Sequence, residues 1–391
     1  MKDYKKYDYI IAGCGCSGMS LLYRLLRTPL LKSKKILVID KTNKLNNDRT
    51  WCYWEKTNGI FETIVCHSWK SLHFFSNNLS KQLNLEEYTY KMIRGIDFYS
   101  FVLNFSKDFD NVTFKNENIL KIDTIEKKGL LITEKSEYVA EYIFNSTNLY
   151  LPKITNKNTI LQHFEGWFIK SKEDSFDPRK GTLMDFRVDQ KNGTTFIYFL
   201  PISKNEALVE HTLFSEKTLE KDEYKIELKK YISKYLNINN YEVIHKEFGI
   251  IPMSLASFER NHKFSKSIIN IGTVGGYTKA SSGYTFQFIQ KNSEIIIKNL
   301  LKNILPSPKK TIRDKIYEWY DKTLLDVIIS KKMKGKDIFT IIFKKNNIDK
   351  ILAFLGNESS LKDDLKIMNS LPLLPFLTSG FKHLFKVKNK Y

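Results

Sequence analysis

The sequence predicts an α/β chain of two lobes, one built on a parallel sheet and one on an antiparallel sheet, followed by a helical C-terminal tail. Three observations predict it. An apolar run, Tyr9 to Ala12, ends in the turn Gly13-Cys14-Gly15-Cys16-Ser17-Gly18 and passes directly into a helical stretch. Four aromatic, β-rich runs between residues 160 and 214 are separated by polar turns. From Pro306 onward the pattern is helical and basic.

The opening segment is the most specific. Gly13, Gly15 and Gly18 have G-x-G-x-x-G spacing, Met19 to Leu26 reads as a helix, and Ile36 to Ile39 reads as a second buried strand closed by Asp40. Strand, glycine turn, helix, strand and acid in this order form the βαβ dinucleotide fingerprint, or Rossmann-like unit. Gly13 permits the tight turn, Gly15 lets the backbone approach a pyrophosphate, and Gly18 allows close helix–strand packing. Ser17 lies in the turn, where the helix N-terminus offers free N–H groups to phosphates. Asp40 is placed to accept hydrogen bonds from a ribose diol. The competing explanation is a glycine turn that only joins two packed strands.

Next comes Arg49-Thr50-Trp51-Cys52-Tyr53-Trp54-Glu55, whose residue types alone point to aromatics packed on the core. The functional alternative is a wall of an apolar pocket beside the nucleotide. Residues 69 to 95 read as strands with Leu72, Phe74, Leu83 and Leu85 facing inward. Arg94 to Val102 enters a helix with Asp97 as N-cap. Val112 to Phe114, Ile119 to Ile125 and Tyr142 to Asn145 are further strands, the last ending in Ser146 and Thr147. Such strand ends lie beside the ligand in dinucleotide folds.

The four aromatic runs are Phe164–Ile169, Leu183–Val188, Thr195–Pro201 and Ala207–Phe214, an expected antiparallel sheet. On the last, Leu208, Glu210 and Thr212 share one face and Val209, His211 and Leu213 the other. Alternation alone leaves Glu210 and His211 exposed to solvent. Residues 220–240 read as a charged helix burying Tyr224, Ile226, Leu228, Tyr231, Ile232 and Tyr235, and Phe248 to Met253 as a short extended piece. Strand Ile268–Gly272, the glycine-rich stretch Thr273–Tyr284 and helix Phe286–Leu301 repeat the strand–turn–helix theme. They make Gly272, Gly275 and Gly276 a second contact for an anionic cofactor. Without G-x-G-x-x-G spacing this is not a second dinucleotide domain. Leu371–Leu377, Phe381, Leu384 and Phe385, with Lys382, Lys386, Lys388 and Lys390, make an amphipathic basic end suited equally to docking on the core or to lying on a membrane.

Composition bounds the rest. The 391 residues exceed one ordinary domain, and 42% hydrophobic with 14% aromatic residues supports a large core and a lipophilic pocket. The net charge of +20 comes from lysines spread along the chain with no nucleic-acid motif. It predicts composition bias first, a membrane surface second, and no nucleic-acid partner. Four cysteines without paired CxxC and histidine spacing predict no metal site and a reduced, cytoplasmic setting. The glycine turn interrupts the N-terminal apolar stretch too early for a signal peptide, and no apolar run reaches bilayer length. Contact with a membrane is therefore expected to be peripheral.

In this order the pieces resemble the flavoprotein lycopene cyclases of the β-cyclase type, which act on the ends of a linear carotenoid. The opening fingerprint carries the resemblance together with Asp48-Arg49-Thr50-Trp51-Cys52-Tyr53-Trp54, Phe199-Leu200-Pro201-Ile202-Ser203, Leu208-Val209-Glu210-His211-Thr212 and Gly272 to Tyr284. Ile250 to Met253 and Leu371 to Phe376 agree less specifically. Where the family has Pro-Ser/Thr-Thr-Gly-Tyr, this chain has Ala280-Ser281-Ser282-Gly283-Tyr284. The resemblance implies a two-lobed flavoprotein that binds FAD, active when reduced, with NAD(P)H as external reductant. It also implies a carotenoid substrate and a Glu210 that acts as general acid or stabilises the cation. Trp51, Trp54, Tyr198 and Tyr284 are the aromatic rings expected around that cation. The implied domains are 1–150 with 245–300 for FAD, 151–244 for substrate, and 301–391 as the helical, basic tail. A flavin monooxygenase or prenyl-chain reductase resembles the same fold and is the main alternative. A catalytically silent lipid-binding flavoprotein is the third.

Overall fold

The computed structural model describes residues 4–263 and 265–386, apart from the side chains of Phe385 and Lys386; those side chains, and Lys388 and Lys390 of the expected basic end, lie outside the described residues. A seven-stranded sheet runs in the order Val112–Asn116, Ile36–Asp40, Lys5–Ala12, Glu137–Asn145, Lys128–Thr133, Ile119–Ile125, with Ile268–Asn270 also on Glu137–Asn145. The strands from Val112–Asn116 to Glu137–Asn145, and Ile268–Asn270, pair in parallel, while 119–133 adds an antiparallel hairpin. Ile11 and Val38 pack in one cluster with the helix Cys16–Arg27, and Ile10 and Leu37 pack against Ile122 and Leu131. Burial on both faces explains why these strands read as continuous apolar runs.

The second sheet has the order Tyr241–Ser254, Thr159–Ser171, Glu206–Ser215, Thr194–Pro201, Lys180–Asp185, Ser71–Ser76, Leu79–Asn84. All four predicted aromatic runs contribute to it, although the run expected at 183–188 leaves the sheet at Asp185. The expected boundaries at 150 and 245 cut across this sheet. Ser71–Ser76 pairs in parallel with Lys180–Asp185, and Tyr241–Ser254 pairs along its length with Thr159–Ser171. A small third sheet orders Thr50–Glu55, Thr89–Arg94 and His67–Trp69 between the two.

Two local expectations are corrected. The helix Gly95–Ser106 follows Arg94, and Asp97 lies in its first turn, gripping the Arg94 guanidinium at 2.6 and 3.1 Å; it does not cap the helix. The helix Lys221–Leu236 buries Tyr224, Leu228, Tyr231 and Ile232, whereas Ile226 points outward. Ile226 falls between the turns of the buried stripe, a phase error rather than a wrong element.

The tail forms helices Ile312–Ile329, Gly335–Lys345, Ile348–Leu355, Leu361–Asn369 and Leu373–Lys386. It is built into the body. Leu325, Phe339, Phe343 and Ile351 share a core cluster with Trp69, Phe74 and Phe196. The Asp349 carboxylate accepts from the backbone N–H groups of Glu86, Glu87 and Tyr88. Among the described residues no helix is long and apolar enough to cross a membrane.

Candidate active site

A cavity of about 620 Å³ lies between the two large sheets, and most of the predicted site residues meet there. Gly13, Gly15, Ser17 and Asp40 line one end. Gly13 has φ 102°, a conformation that glycine adopts without strain. A Cβ on Gly18 would overlap the Gly13 carbonyl oxygen, so this glycine serves helix packing and does not line the cavity. A Cβ on Gly15 would meet nothing within 4 Å. The helix Cys16–Arg27 opens above that space with no side-chain cap and no acid in its first turn. Uncapped N–H groups over a cradle with room beside Gly15 are what an anionic pyrophosphate requires, so these residues fit a dinucleotide. Asp40 anchors the turn as well: Cys14 N donates to its Oδ2 at 2.7 Å, and Thr42 N and Oγ1 donate to Oδ1 at 2.8 Å each.

The glycine-rich loop after Ile268–Asn270 closes the cradle. Gly272, at φ 63°, lies so close that a Cβ would come within 2.6 Å of Ser17 Oγ. The loop leads to a second uncapped helix start, Thr285 before Phe286–Leu301, also at the cavity. Gly275 and Gly276 do not line it; they let the loop pass Asn270 and Phe258. Gly283, at φ 73°, donates through its N–H to the Lys279 carbonyl at 2.8 Å, and the buried Lys279 ammonium meets Asp321 at 2.7 Å. A backbone hydrogen bond and an ion pair to the tail thus hold this turn, in which position 280 is alanine.

The second sheet is the cavity floor. Its register aligns Tyr198, Glu210, Gly166 and Glu247 in one row across four strands, with their side chains on one face. Tyr198, Glu210 and Glu247 all line the cavity. Glu210 is therefore not on the solvated surface that alternation suggested. Thr212 Oγ1 donates to its Oε1 at 2.6 Å. Burial, reinforced by the charge of Glu247, pushes the Glu210 carboxyl up to about 8. His211 on the opposite face is also buried, under the helix Lys221–Leu236 with its ring 6.0 Å from that of Tyr224, and desolvation lowers it to about 4.

Trp51 and Tyr284 line the cavity, and the Tyr284 hydroxyl is 3.3 Å from that of Tyr198. Burial raises the Tyr284 phenol to about 12, which keeps it neutral. Trp54 does not reach the cavity. It sits edge-on behind Tyr284 at 4.5 Å, parallel to Tyr90 at 6.5 Å, and donates its indole N–H to the Leu352 carbonyl at 3.0 Å. Trp51 thus lines the cavity while packing on Phe98, Tyr99 and Phe286, and Trp54 packs behind Tyr284.

Sequence reasoning missed two residues, Tyr90 and Glu247. Glu247 is buried and its Oε2 has no hydrogen-bond partner. Its strand inverts the usual pattern: Glu247 and Gly249 are buried while Phe248 and Ile250 are exposed. A polar residue and a glycine alternating with exposed apolar ones was the available signal.

A Rossmann-like cradle opening onto an antiparallel floor defines a two-lobed flavoprotein fold. Solved structures agree on that fold. A geranylgeranyl bacteriochlorophyll reductase-like protein from Thermoplasma acidophilum superposes with TM-score 0.65 at 12% identity, covering 94% of this chain and 96% of that one. A flavoprotein/dehydrogenase from Cytophaga hutchinsonii gives 0.61 at 12% identity, covering 94% and 100%. The p-nitrophenol 4-monooxygenase PnpA from Pseudomonas putida DLL-E4 gives 0.59 at 12% identity, covering 96% and 99%. No curated protein matches the sequence. Residues 8–380 match the family described as "Lycopene cyclase protein", so the chain belongs to the lycopene cyclase family.

Proposed function

We propose that the chain is a lycopene β-cyclase, an isomerase that closes the linear ψ-ends of lycopene into β-rings, giving γ-carotene and then β-carotene with no net redox change. The observation that carries this reading is Glu210, a carboxyl held protonated by burial inside a cavity continuous with the dinucleotide cradle. Cyclising a ψ-end requires a proton delivered to an alkene carbon and a cation held while the ring closes. Glu210 remains an acid at neutral pH and can deliver that proton. Thr212 fixes its orientation, and the Trp51, Tyr198 and Tyr284 rings offer electron-rich surfaces to the cation. Gly13, Gly15, Ser17, Asp40 and Gly272 would hold FAD. In its reduced form FAD supplies negative charge that favours a nearby cation. A single dinucleotide motif leaves NAD(P)H as an external reductant. The exposed leucines of the last helix support peripheral attachment to a membrane, where a carotenoid resides.

A prenyl-chain reductase is the second reading, favoured by the fold shared with the geranylgeranyl bacteriochlorophyll reductase-like protein. Expression in lycopene-accumulating cells separates the two. The cyclase reading expects cyclic pigments of unchanged mass, and Glu210→Gln to lower their formation by roughly 10²–10⁴-fold with FAD retained. Unchanged lycopene beside well-expressed protein, or cyclisation surviving in Glu210→Gln, overturns it.

A further inference from the structure

We infer that Glu247 is the second carboxyl of a proton-returning pair, taking the proton the new ring gives up and passing it back to Glu210. This rests on the cyclase reading and deepens it. The two carboxylates flank Gly166, which is directly paired with both, so their Cα atoms are two strand spacings, about 10 Å, apart. A side chain at 166 would fill the space between them. Even a Cβ there would come within 3.1 Å of Glu247 Cγ and 3.2 Å of Leu208 Cδ1.

The two carboxyls are placed for different tasks. Glu210 already accepts from Thr212 at 2.6 Å, whereas Glu247 Oε2 is buried without a donor. Arg49, the nearby cation, donates to the Asp48 and Phe248 carbonyls at 3.0 Å each. Burial raises both carboxyls above the usual carboxylate range, and the charge of Glu247 raises Glu210 further, so the pair holds a proton near neutrality. The other titratable groups facing the pair are Asp48 and Arg49 before the Thr50–Glu55 strand, Cys52 on it, Tyr90, Tyr198 and Tyr284 across the cavity, and His245 on the face of Glu247.

The steps balance. The Glu210 O–H bond breaks as its proton forms a C–H bond at the alkene, and a second alkene closes the ring onto the resulting cation. The C–H bond beside the cyclised cation then breaks. Its electron pair becomes the ring double bond, and the proton goes to the Glu247 carboxylate. Proton transfer from Glu247 to Glu210 restores the start, and nothing is oxidised or reduced.

Two measurements on the FAD-loaded protein test this. Turnover should require Glu210 protonated and Glu247 ionised, giving a bell-shaped pH profile. Glu247→Gln should lower kcat about a hundredfold or more and abolish the acid limb, while Glu247→Asp keeps the bell. Infrared titration of the carboxyl bands, assigned with Glu210→Gln, should show Glu210 titrating at lower pH once Glu247 is neutral. A Glu247→Gln protein that keeps its acid limb and leaves the Glu210 titration unmoved overturns the pair. If the wild type instead returns lycopene unchanged while the infrared coupling is present, the cyclase reading and the proton-returning step fall, and the coupled carboxyls stand.

Discussion

Glu210 couples the proposed chemistry to stability. Its folded value of about 8 lies above the ordinary 4.5, so between these values the folded state holds a proton that the unfolded chain has released. Stability is therefore greatest below pH 4.5 as far as this group is concerned, and is lost as pH rises through about 8. Glu210→Gln removes that titration. Thermal unfolding should show the variant gaining on the wild type from pH 5 to pH 8; an equal Tm difference at both values would mean that Glu210 is not desolvated. This residue also marks what the sequence alone could not decide. Alternation on Glu206–Ser215 mixes polar and apolar residues on both faces, so the family motif, not periodicity, singled out Glu210. Glu247 escaped because a cavity turns the inside–outside pattern of its strand around, a local inconsistency expected where function overrides packing.

Among the elements, the loop Gly272–Tyr284 was legible as a glycine-rich turn, but its anchor was not, because Asp321 is distant in sequence and lies on a tail helix. Lys279 is almost fully buried and pairs with both Asp321 and Asn357. Removing one partner of such a pair strands the other charge, a loss of about 3–5 kcal/mol. Asp321→Ala should therefore lower stability by that amount in chemical denaturation, and the loop that carries Tyr284 should lose protection in hydrogen exchange. A variant within 1 kcal/mol of wild type, or one with the loop unchanged, would show the pair to be incidental. The βαβ opening and the helix Phe286–Leu301 were readable to within a few residues because glycines and periodicity agree there. The parallel pairing of Ser71–Ser76 with Lys180–Asp185 leaves no local trace in the sequence.

Across the whole molecule, the last helix docks on the body through one side and leaves apolar residues exposed on the other. Ser379 is buried, Gly380 packs on Trp319, and Lys382 reaches Asp326 at 2.5 Å. Leu373, Leu374, Leu377, Phe381 and Leu384 lie at helical spacing on the outer side and are exposed, with Leu374 at 75%. Together with the net charge of +20, this face should bind vesicles containing anionic lipid more tightly than neutral ones, with affinity falling as salt rises. Replacing Leu373, Leu374 and Leu377 by Ser should weaken binding several-fold without lowering Tm. Vesicle binding that is unaffected by the triple change would place the contact elsewhere.

The interleaving of the two large sheets also constrains the birth of the chain. The Ile268–Asn270 strand, which completes the first sheet and leads into the second glycine loop, is synthesised after every strand of the second sheet. Ser71–Ser76 must wait for Lys180–Asp185, more than a hundred residues later, before its parallel edge is paired. An emerging chain therefore exposes unpaired strand edges through most of its translation, and the lobe announced by its first eighteen residues is among the last parts to close.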